Sequence, residues 1–336
     1  MTSLNIIITA INQVELQSQP VPNPGHGEVT VRATKSLIST GTEGIILGGL
    51  FAQGTHWAEY GKYPHTPGYS LVGRIEAVGE GVEDWAVGDR VTVRKPHKQL
   101  VTLPVEMLYR IPEGVSDEDA AWTTLAGIVQ VGIRRADHVL GDCVAVIGLG
   151  LLGQLAVQYL RLMGAREIIA IDTAEKRLEM ARQHGATSTL AITAEQAKEG
   201  VLQLSDGNGA DVVYDITGNS SILPHALGMA KRFGKVIILG DAGNPSEQRL
   251  TPDVIRRGVT IIGAHIIYPP AESTDHYHWN HPEMAKLFFN YLERGDMRVS
   301  DMVTHHFSPL EAPEAYRLLT EQRSTAMGVM FDWDSI

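Results

Sequence analysis

Three glycines, Gly148, Gly150 and Gly153, stand in G-x-G-x-x-G spacing in the run Val144-Ala145-Val146-Ile147-Gly148-Leu149-Gly150-Leu151-Leu152-Gly153. They lie directly behind an apolar strand pattern and open a helical one. In such a turn the first glycine permits the tight reversal and the second lets backbone approach a pyrophosphate. The third lets the helix lie on the strand, and the phosphates meet the helix N-terminus, here at Leu151 and Leu152. About twenty residues on, the next apolar run ends in Asp172, whose carboxylate can accept both ribose hydroxyls of NAD and repel the 2′-phosphate of NADP. Arg177 follows, where it could stack on adenine, accommodate a phosphate or pair with Glu175. An ordinary tight turn and a solvated carboxylate are the alternative. Strand, glycines, helix and acid fall in register, and that favours a dinucleotide site, for NAD rather than NADP.

A second group with possible chemistry is His276, His278 and His281, accompanied by Tyr277 and Trp279. An H-x-H-x-x-H array could hold a transition metal. It could also be a lead-in to a helix, with Pro282 at the first helical position and His281 or Asn280 as the cap, and no metal is expected there. The single cysteine, Cys143, allows no internal disulfide and no Cys-rich zinc site.

The elements that must position these residues form three stretches. Residues 1–118 alternate short β-branched runs such as "EVTVRAT", "SLVGRIEAVG" and "DRVTVRK" with Gly, Pro and Asp, the texture of a barrel or sandwich. Residues 119–264 carry continuous apolar runs, "CVAVIGLG", "EIIAID", "ADVVYDIT", "KVIILG" and "VTIIGAH", separated by the helical patterns "LLGQLAVQYLRLMG", "AEKRLEMARQHG" and "SSILPHALGMAKRFG". Strands buried on both faces and alternating with helices predict a doubly wound, parallel α/β sheet. Residues 265–336 hold two helical patterns, "HPEMAKLFFNYLERG" and "SPLEAPEAYRLLTEQ", and a last strand, "AMGVMFDW". We assign them back to the first domain, which is then discontinuous.

At 336 residues and 43% hydrophobic the chain can bury a full core in about two domains. Its formal charge of −11 and the absence of a Lys/Arg cluster of the kind that phosphate backbones require argue against nucleic acid. The N-terminus has no basic n-region and only a short apolar run, so neither signal peptide nor membrane span is expected. Small-molecule chemistry in the cytoplasm is the resulting expectation.

Together these features resemble the medium-chain dehydrogenase/reductase superfamily over essentially the whole length. The matching stretches are "GEVTVRA", "PGYSLVGRIEAVGEGVEDWAVGDRV", "GLGLLG", "DITGN" and "VIILG". The resemblance implies a Rossmann NAD-binding domain plus a GroES-like catalytic domain, and it adds Thr217 and Gly240 to the expected cofactor contacts. Members with zinc take it through a Cys in a CGTD-like motif, the His and sometimes Glu of GHE, and a further acid or Cys near the linking helix. This chain has Thr40, Tyr69, Ser70 and Thr123 at those places and no four-cysteine lobe, so a branch without zinc is implied. "STGTE" and "PGY" are similar to the bacteriochlorophyllide dehydrogenases, which oxidise a hydroxyethyl side chain.

The resemblance therefore implies an oxidoreductase acting on CH–OH that moves hydride between NAD and a secondary alcohol, of a polyol, sugar or cyclitol-like substrate, without zinc. Thr42 takes the proton-relay position, Tyr69 offers a phenol, and Glu43 orients them or accepts a proton. Thr40, Ser70, Thr123, His265, His276, His278 and Trp279 are the expected substrate-pocket residues. Alternatives are a bacteriochlorophyllide-type hydroxyethyl dehydrogenase, an NADPH-dependent enoyl or quinone reductase, and a dinucleotide-binding protein without turnover. The apolar edge of "VTIIGAH" suggests a homodimer or homotetramer.

Overall fold

The computed structural model describes residues 1–321 and 326–336. The chain divides into two compact units, one comprising Met1–Leu125 and Ala285–Ile336 and the other Ala126–Met284.

The first stretch runs β1 (Thr2–Ala10), β2 (Gln13–Pro20), β3 (Glu28–Leu37), α1 (Thr40–Gly48), α2 (His56–Tyr60), β4 (Leu71–Val78), β5 (Arg90–Val93), β6 (Leu100–Pro104), β7 (Leu108–Arg110) and α3 (Asp117–Ala120). Then follow α4 (Thr123–Ala136), β8 (Cys143–Ile147), α5 (Leu151–Leu162), β9 (Glu167–Ile171), α6 (Glu175–His184), β10 (Ser188–Leu190), α7 (Lys198–Leu204), β11 (Ala210–Asp215), α8 (Leu223–Met229), β12 (Ala230–Ile238), α9 (Asp253–Arg256) and β13 (Thr260–Gly263). The chain closes with α10 (His281–Glu293), β14 (Val303–Phe307), α11 (Ala312–Glu321) and β15 (Gly328–Asp332).

In the first unit a sheet of order β14-β15-β3-β4-β5-β7, with β6 on β3, carries the β-rich pattern, and β1 pairs β2 as a separate hairpin. Its core gathers Ile6, Ile8, Val31, Leu71, Ile75 and Val91 with Tyr316, Phe331 and Trp333 from the returning tail. Each fully buried aliphatic side chain of this kind contributes about 1.5–3 kcal/mol. Truncating one such as Ile6, which has no exposed surface, to Ala would cost about 2–5 kcal/mol.

The second unit is a parallel six-stranded sheet of order β10-β9-β8-β11-β12-β13. This is the doubly wound arrangement, whose strand order reverses between β8 and β11. Every residue of β8 is buried, as expected of a strand covered on both faces. Cys143 begins it, and burial pushes its thiol up to about 11, so it is packing rather than a nucleophile.

Three expectations need correction. The helical reading of "SSILPHALGMAKRFG" survives only as α8, because Ala230 already pairs with Ala210 in the sheet, and the chain after Met229 is strand. Pro282 is the second helical residue rather than the first: Asn280 caps α10, its Oδ1 accepting the Glu283 N–H at 3.1 Å. The expected unit boundaries at 118 and 264 also differ from the division at 125 and 284. Residues 265–284 pack on the second unit, where Gln130 Nε2 donates to the Met284 carbonyl at 2.8 Å and the Arg134 guanidinium lies 3.5 Å over the Trp279 ring. Gln322, the last position of the helix read after Ser308, lies outside the described residues.

Candidate active site

In the second unit the glycine turn leaves β8 at Gly148, whose φ of 90° suits a residue without a side chain. A Cβ at Gly153 would stand 2.1 Å from the Gly148 carbonyl oxygen, so helix and turn approach as only glycine allows. At Gly150, by contrast, a Cβ would meet nothing within 4 Å among the described residues. That open backbone precedes Leu151 and Leu152, the first residues of α5, where Gly150 supplies no side-chain cap. The first N–H groups of α5 therefore receive no acceptor from the cap residue, as an anion-binding helix start requires.

Asp172 is tied to this turn. Its Oδ2 accepts the Leu149 N–H at 2.8 Å and its Oδ1 accepts the Ala174 N–H at 2.9 Å. Each oxygen keeps a second lone pair for a ribose hydroxyl. Arg177 Nη1 lies 3.7 Å from the same carboxylate, while Glu175 pairs with Arg182 at 3.0 Å. Thr217 donates through its N–H and its hydroxyl to Asp215 Oδ1, at 3.1 and 2.7 Å. Its methyl lies 3.0 Å from where a Gly148 Cβ would be, and a Cβ at Gly240 would stand 2.4 Å from the Gly218 nitrogen. Gly148, Thr217 and Gly240 thus converge at the carboxyl ends of β8, β11 and β12, where the strand order reverses and where such sheets bind their ligands. These residues fit a dinucleotide.

In the first unit the site is built on the start of α1 and the segment entering β4. Ser39 is the N-cap of α1. Its hydroxyl makes no cap to the helix and instead accepts from the Tyr69 phenol. Thr42 Oγ1 is 3.2 Å from the Tyr69 oxygen, and with the phenol proton committed to Ser39, Thr42 donates. Thr124 fixes the backbone beside them, its hydroxyl donating to the Tyr69 carbonyl at 2.9 Å. Burial raises the Tyr69 phenol, its bonds to Ser39 and Thr42 oppose the rise, and the Glu43 charge adds to it.

Glu43 itself turns inward and is 1% exposed. Its Oε1 accepts the Ser39 N–H at 2.7 Å, and its Oε2 accepts the Tyr316 hydroxyl and lies 3.1 Å from His97 Nε2. His97 Nδ1 is 2.8 Å from Ser36 Oγ, which accepts the Trp333 Nε1–H at 2.8 Å. An imidazole protonated on Nε2 satisfies this whole network. Sequence reasoning missed Ser39, His97, Ser36, Tyr316 and Trp333. Ser39 carried a usable signal, a Ser ahead of an acid-bearing helix start. Ser36 lies on β3, His97 on the segment between β5 and β6, Tyr316 on α11 and Trp333 just after β15, and no local pattern announces that they meet.

The structure therefore brings Thr42 and Tyr69 together and places Glu43 behind them. Thr40 is the first residue of α1, half-buried. Ser70 Oγ is buried without a hydrogen-bond partner among the described residues, and Thr123 donates to the Ala120 carbonyl at 2.7 Å. The remaining pocket candidates belong to the second unit. His265 and His276 are exposed, His278 lies 3.3 Å from Glu283 Oε2 and 3.2 Å from Ser273 Oγ, and Trp279 lies under Arg134. Thr40, Tyr69, Ser70 and Thr123 offer hydroxyls, and none supplies the thiolate, imidazole or carboxylate that Zn²⁺ takes. The nearby carboxylate, Glu43, is already committed to three donors. This donor set does not fit zinc.

Comparison with known proteins places the chain in a family. The family described as alcohol dehydrogenase GroES-like domain matches residues 25–110, and that described as zinc-binding dehydrogenase matches residues 152–278. D-guloside 3-dehydrogenase of Escherichia coli (strain K12) is 29% identical, over 81% of this chain and 79% of its own. Sorbitol dehydrogenase of Bacillus subtilis (strain 168) is 28% identical, over 68% of this chain and 72% of its own. The structure of a short chain alcohol dehydrogenase from E. coli CFT073, complexed with NADH, superposes with a TM-score of 0.82 at 22% identity, covering 99% of each chain. No helix among the described residues is long and apolar enough to cross a membrane. With a GroES-like β unit, a six-stranded Rossmann sheet and both family matches in their expected places, the chain belongs to the medium-chain dehydrogenase/reductase family of alcohol dehydrogenase-type oxidoreductases.

Proposed function

We propose that this protein is a zinc-independent, NAD-dependent dehydrogenase that oxidises a secondary alcohol of a polyol, sugar or cyclitol-like substrate. The observation that carries the reading is the hydroxyl chain Thr42–Tyr69–Ser39, which offers hydrogen-bonding groups but no thiolate, imidazole or carboxylate. Two of its relatives are, by name, dehydrogenases of a guloside and of sorbitol, which supports a polyhydroxylated substrate.

NAD⁺, when bound, would supply the hydride acceptor. Gly148, Gly150, Leu151, Leu152 and Gly153 would hold its pyrophosphate and Asp172 its ribose hydroxyls, with Thr217 and Gly240 flanking the turn. The Asp172 carboxylate disfavours a 2′-phosphate, and Arg177 is paired to that carboxylate. Thr42 and Tyr69 hold the substrate hydroxyl. Because burial keeps the phenol protonated at neutral pH, Tyr69 works as a relay rather than as a phenolate base. It would accept the substrate proton while its own passes to Ser39 and on to solvent, so that with hydride taken by the nicotinamide the alcohol becomes a ketone and one proton is released. In reduction the same phenol donates to the nascent alkoxide. Glu43 holds the Ser39 backbone, with His97 and Tyr316 holding Glu43, so these three position the relay without touching substrate.

The assembly reading rests on β13, which among the described residues pairs only β12 and ends the sheet, with exposed Ile255, Ile267 and Tyr268 near it in sequence. We assign this edge to a homodimer contact, which light scattering tests. For the activity, purified protein is assayed for NADH formation with sorbitol, inositols and simple glycosides, and in parallel for NADPH consumption with enones and quinones. Turnover of polyols with NAD supports the reading. Turnover confined to enones with NADPH refutes it.

A further inference from the structure

The segment that follows β5 runs alongside the segment that enters β4. Val93 pairs with Leu71, and the His97 N–H donates to the Pro67 carbonyl at 2.9 Å. Residues 94–97 therefore lie against residues 67–70, with Tyr69 among them. The approach is close: a Cβ on Gly68 would stand 2.5 Å from the His97 ring. Across this contact the buried side carries His97, bonded to Glu43, whereas Arg94 is exposed.

Arg94 begins the run Arg94-Lys95-Pro96-His97-Lys98, three cations in five residues with no acid among them. In a chain of formal charge −11 this is a local reversal of sign, too short for a nucleic-acid surface and well sized for one small anion. Among the described residues Arg94 and Lys95 make no ion pair, unlike Arg32, Arg90 and Arg110, which are matched to Glu76, Asp117 and Asp89. The Arg94 charge is felt at three phenols, those of Tyr60, Tyr69 and Tyr109, where it opposes the burial that raises each of them. An unmatched guanidinium within electrostatic reach of the relay phenol is placed to act on whatever sits against that phenol, and its fork suits a carboxylate or phosphate.

We infer that Arg94, supported by Lys95, is an anion subsite that selects polyhydroxylated substrates bearing a carboxylate or phosphate group away from the reacting hydroxyl. The inference rests on the reading of Thr42 and Tyr69 as the reaction site, and it narrows the substrate class of that site to acidic or phosphorylated polyols.

The test compares kcat/KM for sorbitol with that for gluconate and sorbitol 6-phosphate, in the wild type, Arg94→Gln and Arg94→Lys. The expected result is a preference of tenfold or more for one of the anionic substrates, the effect of one charge-assisted hydrogen bond. That ratio falls to about one in R94Q, is partly retained in R94K, and declines with ionic strength only where the cation is present. Which anion is preferred distinguishes the carboxylate from the phosphate source. A second measurement needs no turnover: calorimetric titration of the NAD-saturated protein with inorganic phosphate, in wild type and R94Q. Heat of binding that R94Q abolishes supports the subsite even if no sugar of the panel is oxidised, in which case it is the substrate reading that fails. Turnover of neutral polyols with an anion ratio that R94Q leaves unchanged overturns the subsite and leaves the dehydrogenase standing. Phosphate binding that is absent, or equal in both proteins, overturns it as well.

Discussion

Replacing Tyr69 by Phe removes one oxygen and leaves the ring in place. In the resting protein that oxygen bonds Ser39 and Thr42, both hydroxyls that can turn to other partners or water. The stability cost is therefore about 1 kcal/mol, the value of an ordinary hydrogen bond, because no buried charge is left unmet. The kinetic cost is larger if the phenol relays the proton. Positioned acid–base groups contribute about 10²–10⁴ in rate, equivalent to about 2.7–5.4 kcal/mol of barrier at 1.36 kcal/mol per decade. Y69F should lower kcat and kcat/KM for the alcohol together, since the lost interaction belongs to the transition state. Affinity for NAD should not change, because Asp172 and the glycine turn make no use of the phenol. Steady-state NADH formation and calorimetric titration of NAD on the same preparation supply both numbers. A rate loss of tenfold or less, with NAD affinity intact, would falsify the relay role and leave Tyr69 as a filler of space.

Other consequences concern the groups around the two sites. Glu43→Gln exchanges a carboxylate accepting from Ser39, Tyr316 and His97 for an amide that must donate toward one of them; destabilisation of about 2–4 kcal/mol is expected in urea melts, and a change under 0.5 kcal/mol would contradict the network. Asp172→Ser should weaken NAD by about tenfold to a hundredfold and narrow the gap to NADP, as two charge-assisted bonds to ribose disappear; equal losses for both cofactors would contradict its role in selection. Burial lowers the pKa of His65 and of His138, against the opposing effect of Glu43 on the first and Asp142 on the second. Both folded values lie below the unfolded value of about 6.5, so on acidification the unfolded chain takes up these protons first, and stability falls below about pH 6.5 toward the folded values. The slope is at most about 1.4 kcal/mol per pH unit for each histidine, and urea midpoints that stay flat from pH 7 to 5 would speak against it. Gly153→Ala places a methyl carbon 2.1 Å from the Gly148 oxygen and should abolish NAD binding while lowering the melting temperature; retained affinity would show that the turn can open.

The second unit was nearly all legible in the sequence, and the reason is physical. A strand covered on both faces must be a continuous apolar run, and a backbone that admits pyrophosphate must be glycine, so "CVAVIGLGLLG" states both at once. The exceptions were the short helices α7 and α9 and the strand β10, whose three half-buried residues, "STL", lie at the edge of the sheet, where burial imposes no pattern. The start of β12 misled for a related reason. Ala230, Lys231 and Arg232 suit a helix by propensity, and pairing with β11 overrides that preference.

Of the candidate active site, the residues on one short stretch of chain were visible and their partners were not. Thr42, Glu43 and Tyr69 sit in recognisable motifs, but Tyr69 reaches Ser39 thirty residues away and Glu43 reaches Tyr316 across 273 residues. The first contact follows from the antiparallel pairing of β3 with β4, and the second from the return of the tail into the first sheet, where β15 lies between β14 and β3. The inward turn of Glu43, and the lie of residues 94–97 along residues 67–70, became apparent only with the packing of the first sheet.

The central claim, hydride transfer at a site rebuilt from hydroxyls, is tested most directly by reading metal content and turnover on one sample. Protein dialysed against a strong chelator is measured by elemental analysis and then assayed with NAD and its best polyol substrate. The account predicts far less than one zinc per chain and a rate unchanged by the chelator. One zinc per chain, with activity lost on its removal and restored on its return, would mean that Thr40, Tyr69, Ser70 and Thr123 have been misread.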